Sequence, residues 1–289
     1  MSRIAALAGF ALVLAPAAAL SQETFRAERV EIEDFTGTVL ITVREGAGSI
    51  AIAQGNEEHE VEYRIDDGAL RIEGETRSRD RKWWRSFESM LDEFPTITLV
   101  VAPGTDIELD DVAVKLEGGD LGGDFKARGQ IFGSIGDVES AYVGVSGSGD
   151  FDLGDIAGDF DGSVSGSGDL DAGAVGGDAD LSVSGSGAVK TGAITGGFKG
   201  SISGSGRIEA KEVNGPTKAS IAGSGDVIIK DGRAEDLKVS ISGSGDFRFG
   251  GVAVNPHISV AGSGDISIGS YEGSLRTSGN ADIRIGKKR

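Results

Sequence analysis

A five-residue phrase, Ser-Gly-Ser-Gly-Asp, returns about every nineteen residues through the second half of this chain. Its first position falls at Ser146, Ser165, Ser184, Ser203, Ala222, Ser242, Ala261 and Ser278, with successive gaps of 19, 19, 19, 19, 20, 19 and 17. A short fixed period means stacked structural units that bury their apolar faces on one another. The phrase also sits inside a strict alternation. Val145, Gly147, Gly149, Phe151 and Leu153 are apolar or glycine, and Ser146, Ser148, Asp150 and Asp152 lie between them. Ile202 to Ala210 and Val260 to Ile268 keep the same register. Period two over nine residues is a strand signature with one dry and one wet face.

Short breakers separate these runs: Gly176-Gly177, Gly196-Gly197, Gly215-Pro216 and Asn255-Pro256. Such pairs are turn chemistry. Each unit is therefore predicted to be one coil of a β-solenoid: strand, bend, strand, turn. Stacked at ~4.8 Å, equivalent strands pair above and below. Both glycines of the phrase are expected to point inward, where opposite walls of a thin coil approach. The outward serines should form ladders, as should Asp150, Asp169, Asp226, Asp246, Asp265 and Asp282, with Ala188 and Arg207 interrupting the acidic one.

The earlier half is a less regular version of the same pattern, with alternation at Val39, Ile41 and Val43, at Val61, Tyr63 and Ile65, and at Val112, Val114 and Leu116. Asp67-Gly68 reads as a hairpin turn. This predicts a β-rich portion over 22–76 and the repeat solenoid over 96–289, together forming one continuous domain. Residues 77–95 break the pattern. Trp83, Trp84, Phe87, Met90, Leu91 and Phe94 fall at helical spacing, Asp80 can cap the start, and Pro95 marks the end. One short amphipathic helix is expected here, covering an open end of the sheet. Its basic flank, with Arg81, Lys82 and Arg85 beside Trp83, Trp84 and Phe87, makes it a candidate contact element for a membrane surface or partner.

Residues 1–21 read as a signal peptide, with Arg3, an apolar stretch from Ile4 to Leu14, and Ala19-Leu20-Ser21 before the cut. The expected location is outside the cytoplasm: periplasm, outer surface or medium. No other segment is apolar enough to span a bilayer. There is no cysteine, so thiol catalysis and disulfides are excluded. The formal charge is −18, and loss of Arg3 with the leader leaves 27 basic against 46 acidic side chains. A surface of that sign repels nucleic acid and anionic membranes as general partners.

The Ser-Gly-Ser-Gly-Asp units, preceded by Val30-Glu31-Ile32, Val39-Leu40-Ile41-Thr42-Val43 and Asp67-Gly68-Ala69-Leu70-Arg71-Ile72, resemble the auto-transporter adhesin, head GIN domain family. The resemblance covers nearly all of the chain after the leader. It implies a right-handed parallel β-helix on the outer or periplasmic side of a Gram-negative cell, and it supplies no catalytic residues. The tail from Ile285 to Arg289 adds no barrel-forming stretch, which departs from a true autotransporter.

Three functions compete. The first is a non-catalytic, adhesin-like scaffold that meets a protein or glycan along its flat serine faces. The second is a polysaccharide-acting enzyme using paired carboxylates such as Asp150 with Asp152. Those pairs recur by repeat, whereas catalysis needs one distinctive pair, and His59 and His257 stand outside any cluster. The third is a calcium-stabilised module, since glycine-aspartate repeats also build calcium rolls. The nineteen-residue period and the aspartate directly after the second glycine disagree with that geometry. The sequence thus calls for a scaffold with no enzyme activity, no catalytic or metal residues and no cofactor.

Overall fold

The computed structural model describes residues 22–47, 50–55, 61–74, 91, 94–279, 282–286 and 288. It is an all-β solenoid whose strands form one hydrogen-bonded set. The expected two-stranded coil has a short third side as well. A first strand, such as Ala141–Gly147, Phe160–Gly166, Ala179–Gly185 or Phe198–Gly204, carries the serines. After the glycine bend comes a second strand, such as Asp150–Leu153, Asp169–Ala172, Ala188–Ile194 or Arg207–Val213. The third side is marked by single bridges linking Val138, Ile156, Val175 and Ile194 in adjacent coils. We call these the serine side, the charged side and the short side.

Register follows the sequence period. Phe160 lies opposite Ala179, Ala179 opposite Phe198, and Phe198 opposite Thr217. The one 20-residue gap is a bulge: Pro216 faces Glu235, but Lys218 faces Lys238. Asp236 absorbs the extra residue at a φ of 45°. That left-handed conformation suits aspartate and asparagine, and all five non-glycine residues with positive φ among the described ones are Asp or Asn. The final 17-residue gap is different from what the motif suggests. Ser278 faces Ser259 and Gly279 faces Val260, so the serine side keeps its period of nineteen. Ile283 then faces Ile266, so the coil is two residues shorter beyond Gly279.

The two glycines of the phrase do different jobs, which corrects the expectation that both point inward. The second (Gly149, Gly168, Gly187 and successors) is buried beneath the bend. The first is at the surface with positive φ, 130° at Gly166 and 126° at Gly204. A Cβ on either would enter the coil beneath: on Gly166 it would fall on the Gly147 carbonyl oxygen, and on Gly225 it would lie 2.5 Å from that of Gly206. Only glycine lets successive bends stack this closely.

The core runs the length of the solenoid as columns. Val145, Val164, Val183, Ile202, Ile221, Ile241 and Val260 make one buried β-branched column. Another column alternates in size: Phe160, Ala179, Phe198. Its neighbour on the same strands alternates in the opposite sense: Gly162, Leu181, Gly200. Each phenylalanine ring reaches over the glycine two residues on, where a Cβ would meet Phe160 Cζ at 2.6 Å and Phe198 Cζ at 2.7 Å. Volume is conserved within each coil, so rings need not stack directly at the rung spacing.

The earlier half joins the same stack. Arg29–Glu33 and Thr36–Val43 pair in parallel with the two halves of Asp106–Gly118, which in turn pairs with Phe125–Ile135. Beyond them lie Ala69–Gly74 and Thr96–Val101, again parallel. At this end the stack is closed by antiparallel strands. Val61–Asp66 pairs with Ala69–Gly74 through the two-residue Asp67-Gly68 turn, with φ of 47° and 75°. Ile50–Gly55 pairs antiparallel with Thr96–Val101, and Gln22–Phe25 pairs with Ile50–Gly55. A strand running the other way ends the parallel ladder. The 77–95 segment enters between Ala69–Gly74 and Thr96–Val101. Its expected helix, with Trp83, Trp84 and Phe87, lies outside the described residues, apart from the fully buried Leu91 and the turn from Phe94 N–H to the Leu91 carbonyl at 3.1 Å. No helix of the described residues is long and apolar enough to cross a membrane.

The complementary columns predict non-additive mutations. Gly162→Leu should overpack the Phe160 ring and cost about 1–3 kcal/mol. Phe160→Ala should leave a cavity and cost about 3–5 kcal/mol. The double variant reproduces the Ala179/Leu181 pairing of the next coil, so it should lose clearly less than the sum in urea denaturation. Additive losses would refute the volume exchange.

Candidate functional site

The outward positions of each side also become columns, because register fixes which residue lies above which. On the serine side, Ser163, Ser182, Ser201, Ser220, Ser240, Ser259 and Ser278 form one ladder. Ser165, Ser184, Ser203, Ala222, Ser242 and Ala261 form the next. Both are small and flat, polar except at Ala222 and Ala261, and a shallow groove of about 350 Å³ runs along Ser182 to Ser242 between them.

A third column on the same side is charged and changes sign along the solenoid. Asp161 faces Asp180, and Asp180 faces Lys199. Lys218, Lys238, His257 and Arg276 follow on consecutive rungs. All five residues from Lys199 to Arg276 are exposed. Lys199 donates to Asp180 at 2.5 Å, and that bond raises its pKa. Lys218, Lys238 and Arg276 are in no ion pair among the described residues. Asp161 is pushed above its usual range, first by burial and then by Asp180.

On the charged side most of the cations stand in ion pairs. Lys190 binds Asp171 at 3.0 Å, Arg207 binds Asp226 at 3.3 Å, and Arg248 binds Asp246 at 2.7 Å. Lys230 pairs with Glu209. On the serine side, towards the other end, Glu31 is held by Arg29 at 2.7 Å and Arg71 at 2.8 Å, and Arg128 sits 4.4 Å from the centre of the Tyr142 ring, which shares the column of Asp161.

The acidic ladder after the bend forms in the expected register: Asp150, Asp169, Ala188, Arg207, Asp226, Asp246. Its carboxylates have a structural task. Asp150 Oδ1 accepts the Asp169 backbone N–H at 3.1 Å, Asp169 accepts that of Ala188 at 3.1 Å, and Asp246 accepts that of Asp265 at 3.0 Å. The other two corners of the coil repeat the device. Asp137 and Asp155 cap the N–H groups of Asp155 and Ala174 at 2.8 Å, and Asp159 and Asp178 cap those of Asp178 and Gly197 at 2.8 and 2.6 Å. At these two corners the bend leaves an N–H with no backbone partner, and a carboxylate one coil away satisfies it with a charge-assisted bond, whereas at the first corner the Asp169 and Ala188 N–H groups are shared with the Gly149 and Gly168 carbonyls at 3.1 Å. Among the described residues no group of three or more His, Asp or Glu side chains is placed to hold a metal ion.

Of the residues singled out from sequence, the serine and aspartate ladders come together as expected. Trp83, Trp84, Phe87, Arg81, Lys82 and Arg85 lie outside the described residues, as does His59. Sequence reasoning missed the cationic column. Its signal was present: Lys199, Lys218, Lys238 and His257 each stand four residues before the start of a repeat phrase. Net charge hid it, because the total of −18 averages over faces.

Two variants test these assignments. Asp155→Ala should cost about 1 kcal/mol in denaturant unfolding by orphaning the Ala174 N–H, whereas Asp155→Asn should retain most of the stability. Ionised Asp161 opposes folding, because its pKa is raised in the folded state. Asp161→Asn should therefore raise Tm at pH 7 and lose that advantage at about pH 3, where the aspartate is protonated in both states. A Tm gain that persists at pH 3 would contradict this.

Several solved chains match this one. One is the crystal structure of a putative adhesin from Bacteroides fragilis, at 14% identity over 95% of this chain and 99% of that one, with a TM-score of 0.32. No curated protein matches. The family model described as "putative auto-transporter adhesin, head GIN domain" matches residues 31–213 and 201–287. A solenoid whose repeat phrase and bends fall within those two spans belongs to the auto-transporter adhesin, head GIN domain family.

Proposed function

We propose that this protein is an exported, non-catalytic, adhesin-like scaffold whose serine side is a contact surface for a glycan or protein of the cell envelope. The observation that carries this reading is the double serine ladder on one flat, groove-bearing side. Hydroxyl groups on a rigid lattice both donate and accept hydrogen bonds at fixed intervals, which suits an extended polar ligand. Family membership supports an adhesin-like role. The leader-like residues 1–21 support export, and the Gram-negative envelope is the setting the resemblance suggests. The aspartates argue against hydrolytic chemistry: they recur by coil, and those at the bends are occupied in capping backbone N–H groups.

The test is binding of the labelled protein to arrayed envelope glycans and to intact cells. The native chain should be retained, and Ser220→Tyr with Ser240→Tyr should reduce retention at least tenfold while Tm stays within a few degrees. Equal retention by the tyrosine variant, or turnover of any arrayed polysaccharide, would overturn the reading.

A further inference from the structure

We infer that the C-terminal half of the serine side binds a linear acidic polysaccharide, laid along the solenoid axis with its carboxylate or sulfate groups on Lys218, Lys238 and Arg276. This rests on the proposed contact role of that side and specifies the ligand. The column Lys199, Lys218, Lys238, His257, Arg276 occupies five consecutive rungs. At the spacing of paired strands it is a straight track of roughly 19 Å.

Three observations point to a polyanion. First, like charges on directly opposed strand positions destabilise a sheet. On the charged side three cations are relieved by acids on neighbouring coils: Lys190 by Asp171, Arg207 by Asp226, Lys230 by Glu209. On the track only Lys199 has such a partner, Asp180, at its inner end. An anionic ligand supplies the missing counter-charges. Second, the neighbouring outward positions are Ser201, Ser220, Ser240, Ser259 and Ser278, which offer hydroxyls to a sugar chain and no bulk to obstruct it. Third, no outward residue on the strand positions of this side from Lys199 to Gly279 is aromatic or a large aliphatic, and of the described residues beside the track only Leu275, next to Arg276, exposes a large aliphatic side chain; the track thus has neither the stacking platforms of a single-strand nucleic-acid site nor the apolar face of a membrane helix. Asp161 and Asp180, two rungs of opposite sign, close the inner end of the track. The protein as a whole repels polyanions, which confines such a ligand to this column.

The experiment is calorimetric titration of the full chain with dextran sulfate, with polygalacturonate and with unmodified dextran of matched length. We expect the two acidic polymers to bind and dextran to bind at least tenfold more weakly. Affinity for the acidic polymers should fall at least tenfold between about 50 and 200 mM salt, as expected when several cations release counterions together. Lys218→Glu with Lys238→Glu should abolish their binding, whereas Lys211→Glu on the charged side should leave it within twofold. Circular dichroism and Tm check that the variants fold, which the exposure of these side chains favours. If dextran binds as well as the acidic polymers and charge reversal changes nothing, the inference falls and the serine contact reading stands. If no polymer and no arrayed glycan binds, both fall. Equal affinity for single-stranded DNA, or a charge reversal that alters only sedimentation mass, would replace this ligand with another polyanion or with a second copy of the chain, and would overturn it.

Discussion

The solenoid depends on how closely two coils approach at the Gly-Ser-Gly bend. There the serine N–H donates to the first glycine of the coil beneath: Ser167 to Gly147 at 2.8 Å, Ser186 to Gly166 at 2.8 Å, Ser205 to Gly185 at 2.9 Å and Ser224 to Gly204 at 2.8 Å. The acceptor oxygens occupy the space where a Cβ would project from the glycine above. Hydrogen bonding and the glycine requirement are therefore one constraint: any side chain at these positions separates the coils and breaks the bonds that stack them. The repeated glycines build the stack, and their usual cost in a strand is offset because no other residue can make the turn.

Stacking in fixed register converts a sequence position into a column, and each column meets its own physical demand. Inward columns must fill space at a short repeat, which they do by uniform β-branched residues or by exchange of volume between neighbours, as in Phe160 with Gly162 against Ala179 with Leu181. Corner columns must satisfy backbone donors that strands cannot reach; aspartates do so across coils at two corners and share the donor with a backbone carbonyl at the third. Outward columns face only water and neighbouring rungs. There, a run of one charge carries a penalty that an opposite charge on the next rung removes. On the charged side Lys190, Arg207 and Lys230 each have such a partner, although acids also stand opposite acids there at Asp150 and Asp169, whereas on the serine side the cations from Lys218 onward have none among the described residues.

Much of this was legible in the chain. Alternation around Val145 or Ile202 identifies the buried face, and the constant spacing identifies the stack. Asp67-Gly68 announces its hairpin. The less regular half was harder to read, because its rungs are assembled out of chain order: Arg29–Glu33 lies between Ala69–Gly74 and Asp106–Gly118, a pairing that no fixed spacing announces. The motif count also misplaced the last unit, since Gly279 resembles the bend glycine but lies opposite Val260. The aspartate after the second glycine looks like a ligand in sequence. In three dimensions its carboxylate receives the N–H of the next coil, a partner nineteen residues away.

The sequence by itself determined the coil length, the inward and outward faces and the glycine bends. Each of these follows from local chemistry repeated at a constant interval. Only the tertiary structure decided how the free end is closed, by antiparallel strands brought in from three separate segments. It also decided which charges stand beside one another. Lys218, Lys238 and Arg276 are isolated cations in an acidic chain until stacking sets them on successive rungs, because electrostatic interaction depends on distance through space and not on position along the chain.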